Sequence, residues 1–174
     1  MNINFFSNLF LWLLVITLPD MVFSQSADFT IQDVKFESQG ITLAGSIFKP
    51  KNPFAAVVLV HGSDPVKREM EFAKRLAKAG IAVLTYDKRG VGESGGVYVG
   101  PSVGTNNIDT TNLNLLARDA SAAVKTLRAY LKDKETRIGL VGFSQAGWII
   151  PIAASKNPQI EYMVLFSCPT ITTL

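Results

Sequence analysis

The sequence predicts an α/β fold: a mostly parallel sheet with helices on both faces and an antiparallel hairpin at its N-terminal edge. Three observations carry this. Near-continuous apolar runs at 55–60, 81–86, 138–143 and 162–166 have the composition of strands covered on both faces. Apolar residues at helical spacing fill the intervals between them, and strands alternating with helices imply right-handed crossovers and parallel pairing. Ahead of the first run, residues 30–47 alternate in hydrophobicity around Gln39-Gly40, the pattern of a hairpin.

The elements follow in order. Ile31, Val34 and Phe36, then Ile41, Leu43, Gly45 and Ile47, form the two arms of the hairpin, which ends at Pro50. The strand Ala55 to Val60 leads into a helix expected over Val66 to Ala79, with Met70, Phe72, Ala73, Leu76 and Ala77 on its apolar side and Gly80 at its C-terminus. Ile81 to Tyr86 is the next strand. The irregular stretch Lys88 to Asn112 holds Gly90, Gly92, Gly95, Gly96 and Gly100 and stands where an active-site loop could lie. A helix over Leu113 to Leu131 presents Leu116, Ala120, Val124, Leu127 and Leu131 on one face. Then come the strand Ile138 to Phe143, a helix over Ala146 to Lys156 and the strand Tyr162 to Phe166.

Residues 1–24 read as an export signal, and residues 25–174 as part of a single domain. The apolar stretch Leu9 to Leu18 is followed by Pro19-Asp20, and Val22 and Ser24 suit cleavage before Gln25, so a periplasmic or secreted product is expected. No Lys or Arg precedes the apolar stretch, which leaves an uncleaved anchor open, although the run is shorter than the roughly 18 residues of a spanning helix. No stable membrane association is expected once the signal is removed. Among 174 residues, 17 basic and 14 acidic side chains are interleaved and form no basic arm, which points away from nucleic acid. One cysteine, Cys168, rules out an internal disulfide framework, and a single histidine makes a zinc site of the usual kind hard to assemble.

Chemistry is carried by three stretches, each at the C-terminal end of an expected strand. Gly142-Phe143-Ser144-Gln145-Ala146-Gly147 puts a serine on a sharp strand-to-helix turn between small residues, the arrangement of a nucleophile elbow. Ala146 stands where the usual pattern has glycine, a difference of one methyl group. His61-Gly62-Ser63-Asp64 follows the strand 55–60, where a loop N–H can help to hold an oxyanion. Asp87 and Arg89, in Tyr86-Asp87-Lys88-Arg89-Gly90-Val91-Gly92-Glu93-Ser94, can tie down loop backbone or each other. The glycines here match neither a phosphate-binding loop nor a dinucleotide fingerprint.

In this order and at these places, the three stretches resemble the α/β-hydrolase family, particularly its bacterial exported esterase-like and serine-aminopeptidase-like members, over essentially the whole chain after the signal. The resemblance implies Ser144 as the nucleophile. It implies the backbone N–H groups of Ser63 and Gln145 as oxyanion donors, with Asp64 in place of Ser63 if the loop is shifted by one. The loop 88–112 would form part of the acyl-pocket wall, and His61 would orient loop backbone. The substrate would be a small acyl compound, with no metal or organic cofactor.

In that family an acid and then a histidine follow the serine in chain order. After Ser144 the sequence has Glu161 and no histidine, and Glu161 falls at the start of a strand, away from the strand ends that carry the chemistry. His61 as the base is the lesser alternative. The expectation is therefore an N-terminal part of the fold, stopping before its last strands and inactive alone, with 162–166 left as an open apolar edge. Three functions stay in view: a serine hydrolase acting on an ester, thioester or amide, a degenerate hydrolase used as a binding module, and an acyltransferase. Trp148 and Tyr98 are candidate pocket aromatics, set against a packing role for Trp148 beneath the elbow helix and a loop position for Tyr98.

Overall fold

Gln39 and Gly40 both take positive φ, 50° and 76°, the pair of values a type I′ turn needs and the one whose twist suits a two-residue hairpin. The turn joins β1 (Phe29–Ser38) to β2 (Ile41–Pro50) in an unbroken antiparallel ladder from Phe29↔Pro50 to Ser38↔Ile41. The computed structural model describes residues 28–100 and 109–168. The expected export signal, residues 1–24, and part of the expected pocket loop lie outside the described residues.

Beyond the hairpin the chain runs β3 (Ala55–Val60), α1 (Met70–Lys78), β4 (Ile81–Tyr86), α2 (Thr110–Leu131), β5 (Ile138–Phe143), α3 (Ala146–Lys156) and β6 (Tyr162–Phe166). The six strands form one sheet in the order β1-β2-β4-β3-β5-β6. β2 meets β4 antiparallel, whereas β4, β3, β5 and β6 are mutually parallel. This is the mixed, mostly parallel sheet that the alternation of elements predicts.

Both faces of the central strands are covered, as their unbroken apolar runs require. Val58 and Leu84 point into one layer with Leu116, Val124 and Leu127 of α2 and Ile149 and Ile150 of α3. Their neighbours Val57 and Val83 point into the other, against Ala73 and Ala77 of α1 and Phe48 of β2. Each aliphatic side chain so buried contributes about 1.5–3 kcal/mol. β6 differs: Met163, Val164, Leu165 and Phe166 are exposed, and among the described residues it pairs only with β5.

Two helix starts differ from those predicted, one through contacts with the end of β4 and one through a local cap. α1 begins at Met70 and not at Val66, because the N–H groups of Arg68 and Glu69 are taken by side chains at the end of β4, Asp87 Oδ1 at 2.9 Å and Thr85 Oγ1 at 2.8 Å. α2 begins three residues earlier than predicted, at Thr110. The Asp109 carboxylate caps it by accepting from Thr111 N and Asn112 N.

The topology fixes where a site can form. The crossover from β3 moves to β4 on one side, and the next moves from β4 over β3 to β5 on the other, so the winding direction reverses around β3. A crevice opens at such a reversal, at the C-terminal ends of the strands. Residues 61–64, 87–98 and 144 all leave the sheet there. No helix among the described residues is long and apolar enough to cross a membrane.

Candidate active site

Ser144 sits between β5 and α3 with φ 53°. A left-handed conformation of this kind costs a residue with a side chain about 1–3 kcal/mol, and here it turns the serine out of the sheet into an exposed position. The tight turn depends on Gly142: a Cβ there would collide with Ala146 Cβ and stand 2.8 Å from the Val60 carbonyl of the adjacent strand. Two main-chain bonds hold the turn. Ser144 N–H donates to Phe166 O at the end of β6 (3.2 Å), and Ser144 O accepts from Gly147 N (2.9 Å). Gln145 opens α3 and is buried.

The loop after β3 passes directly beside this turn. A Cβ built on Gly62 would lie 3.5 Å from Phe143 O and 3.7 Å from Ser144 Cβ, so the Ser63 segment and Ser144 are neighbours although 81 positions separate them. His61 opens this loop, immediately after β3. It is 5% exposed, edge-on to the Tyr86 ring at 4.7 Å, with Nε2 lacking a hydrogen-bond partner among the described residues. Burial, reinforced by the Lys88 ammonium, lowers its pKa to about 4. The imidazole is therefore neutral and enclosed at ordinary pH.

Three consecutive residues leave β4 in three directions. Asp87 accepts from Arg68 Nε (3.2 Å), Arg68 Nη2 (3.0 Å) and the backbone N–H groups of Arg68 and Glu93 (both 2.9 Å). Burial alone would raise this carboxyl, but the bonds from Arg68 and Glu93 outweigh it and hold it below the usual carboxylate range. Gly92, at φ 58°, makes room for it, since a Cβ there would stand 2.5 Å from Asp87 Oδ2. Arg89 reaches the other face, where it clamps Asp119 of α2 through Nε (2.9 Å) and Nη2 and donates to Ser38 O. Burial raises the Asp119 carboxyl even against these bonds. Asp87 and Arg89 thus each bind loop or helix partners of their own and do not pair with each other.

Lys88, between them, is 2% exposed. Its ammonium donates to Gly62 O (2.6 Å), Ser63 O (3.1 Å), Asp64 O (3.5 Å) and Gln145 Oε1 (3.2 Å). Tyr98 also differs from the expectation of a residue merely carried on a loop: its hydroxyl donates to Ser63 O at 2.7 Å and its ring lies under Lys88 Nζ. Trp148 packs half-buried against the core beneath the turn. Glu161 is at the opposite end of the sheet, accepting from Ile138 N (3.2 Å) and Arg128 Nη2 (3.0 Å). An open groove of about 910 Å³ lies between Ser38, Arg118 and Lys156, and none of Ser144, Ser63, Gln145, His61, Asp87 and Arg89 lines it.

Sequence reasoning missed Lys88, Arg68 and Asp119. For Lys88 a signal was present, a lysine inside a strand-end motif flanked by an acid and an arginine, while Arg68 and Asp119 carry none, because their partners are 19 and 30 positions away.

With this geometry in hand, the relatives are informative. Residues 51–173 match the family described as serine aminopeptidase, S33. The esterase EstD of Thermotoga maritima is 31% identical over 169 residues, covering 87% of this chain and 35% of that protein. An uncharacterized protein of Pseudomonas aeruginosa is 30% identical over 152 residues, covering 83% of this chain and 38% of that one. Among solved structures, an esterase of Pyrococcus furiosus is similar with a TM-score of 0.63 at 26% identity, over 81% of this chain and 53% of that chain. The chain thus spans little more than a third of the length of the curated relatives it matches.

Proposed function

Since the chain belongs to the serine aminopeptidase family, S33, of the α/β hydrolases, we propose that it carries the nucleophile half of a serine hydrolase acting on a small ester, thioester or amide. The observation that carries this reading is Ser144 itself, exposed at φ 53° on the β5–α3 turn with the Ser63 loop alongside. In the proposed reaction Ser144 Oγ attacks the acyl carbon and gives up its proton to an imidazole. The carbonyl electrons move onto oxygen, where the N–H groups of Ser63 and Gln145 stabilise the charge, each worth on the order of 3 kcal/mol of barrier. The C–O, C–S or C–N bond then breaks, the leaving group takes the proton, and water releases the acid by the same route.

His61 is the sole histidine of the sequence, and its burial and low pKa suit it poorly to the base. The imidazole in this scheme is one other than His61. The same observation favours a second reading, a catalytically silent member of the family that binds acyl compounds without turnover. A fluorophosphonate probe separates the two: the hydrolase reading expects covalent labelling of the protein purified from its source cells, abolished by Ser144→Ala. No labelling, or equal labelling of the variant, sinks it. Export belongs to the same reading, and a mature product beginning at Gln25 is the N-terminal sequence that would support it.

A further inference from the structure

We propose that Lys88 is a positioning residue for the oxyanion site, its ammonium acting as a clamp that turns the Gly62–Asp64 peptides and fixes Gln145 beside them. This rests on the reading of Ser63 and Gln145 as oxyanion donors.

The argument begins with the peptide unit. In a trans peptide the carbonyl of one residue and the N–H of the next point in opposite directions. The Gly62 carbonyl is drawn to Lys88 Nζ at 2.6 Å, so the N–H of Ser63, in the same peptide, is turned away from Lys88. The Ser63 carbonyl is held twice, by Lys88 Nζ at 3.1 Å and by the Tyr98 hydroxyl at 2.7 Å, which turns the N–H of Asp64 the same way. The next peptide, Asp64–Pro65, has no N–H to present. One cation beneath the loop therefore orients both N–H groups that could serve as its oxyanion donor. The fourth acceptor, Gln145 Oε1 at 3.2 Å, belongs to the residue that would supply the other donor, so one side chain touches the residues of both halves of the site.

Energetics support a role beyond packing. Every oxygen that the Lys88 ammonium touches is a neutral carbonyl, and an ammonium buried without a carboxylate partner is costly. An apolar side chain of similar length would fill the space without that cost. The charged and titratable groups around it are Asp64 and His61 on the β3 loop, Tyr98 on the following loop and its own neighbour Asp87. Burial dominates and brings Lys88 down to about 8.

The test uses the full chain. In the unmodified protein the amide resonances of Ser63 and Asp64 are expected to follow the Lys88 side-chain titration with a midpoint near pH 8, a measurement that requires neither turnover nor a mutant that folds. In Lys88→Met the same amides are expected to lose that pH-dependent shift, with those of β1 and β2 unchanged. Fluorophosphonate labelling of Ser144 is expected to slow by about 100-fold, the scale of a lost oxyanion donor. Loop amides that ignore the Lys88 titration, or that still follow it in Lys88→Met, overturn the proposal. An unlabelled parent whose loop amides do respond upholds the clamp and sinks the Ser144 reading.

Discussion

The two ends of the parallel strands are finished in different ways. At the C-terminal end, ionised groups are buried and interlocked: the Arg89 and Asp119 side chains are 7% and 1% exposed, and Asp87 is 4% exposed against Arg68. At the N-terminal end the corresponding pair, Arg128 and Glu161, is 18% and 37% exposed, and Asp133 spends its oxygens on the turn at Glu135 and Thr136. A solvated pair contributes little to stability, whereas buried charge is expensive to break once made. Such clusters of perturbed groups concentrate at functional sites, and here they tie the end of β4 to the segment before α1 and to α2. The comparison teaches that the costly polar structure stands at the end where the candidate chemistry is, while the other end only closes the fold.

The contrast can be broken by stability measurements. The largest expected effect is from Asp119→Ala, which strands Arg89 in the interior and should cost about 3–5 kcal/mol in urea unfolding. A loss under 1 kcal/mol would mean the buried clamp is no stronger than a surface pair. Next is acid sensitivity through His61. Its pKa is 6.5 unfolded and about 4 folded, so between these values the unfolded chain binds the extra proton. Stability from this group is complete above pH 6.5 and is lost as pH falls toward 4, by about 3 kcal/mol in all. His61→Leu should flatten that window, and an unchanged pH profile would refute the assignment.

Smaller is Gly92→Ala, expected to cost about 1–3 kcal/mol from a strained φ and a Cβ pressed on Asp87. Thermal unfolding would read it, and a neutral result would mean that the loop yields without disturbing the carboxylate. Smallest, at the opposite end, Glu161→Ala should cost no more than about 1 kcal/mol. A larger loss there would erase the distinction between the two ends.

Most of the fold was legible in the sequence because it is written in local patterns. The β1–β2 turn at Gln39-Gly40, the two-sided apolar runs of β3, β4 and β5, and the helical spacing of α2 each depend on residues close in the chain. The error at α1 came where distant residues intervene. No periodicity announces that Asp87 and Thr85 will capture the amides of Arg68 and Glu69 and so delay α1. The candidate site was legible as positions, Ser144 and the 61–64 loop, but not as a network. Asp87, Lys88 and Arg89 stand together in sequence, and only the twist of the chain at the end of β4 sends them to Arg68, to the Gly62 carbonyl and to Asp119.

That divergence has a consequence for how the sheet finds its alignment. Residues Ile81 to Tyr86 are apolar on both sides, so a slip of one position against β2 or β3 would exchange one oily face for another at little cost. Hydrophobicity alone leaves such a strand weakly indexed. The three charges at its end remove the ambiguity: displaced one way, Lys88 would meet the Arg68 guanidinium, and displaced the other way, the Asp87 carboxylate would meet the carbonyls that now receive Lys88. Asp87, Lys88 and Arg89 thus act as a three-toothed key that favours the aligned register of this strand over its one-position slips.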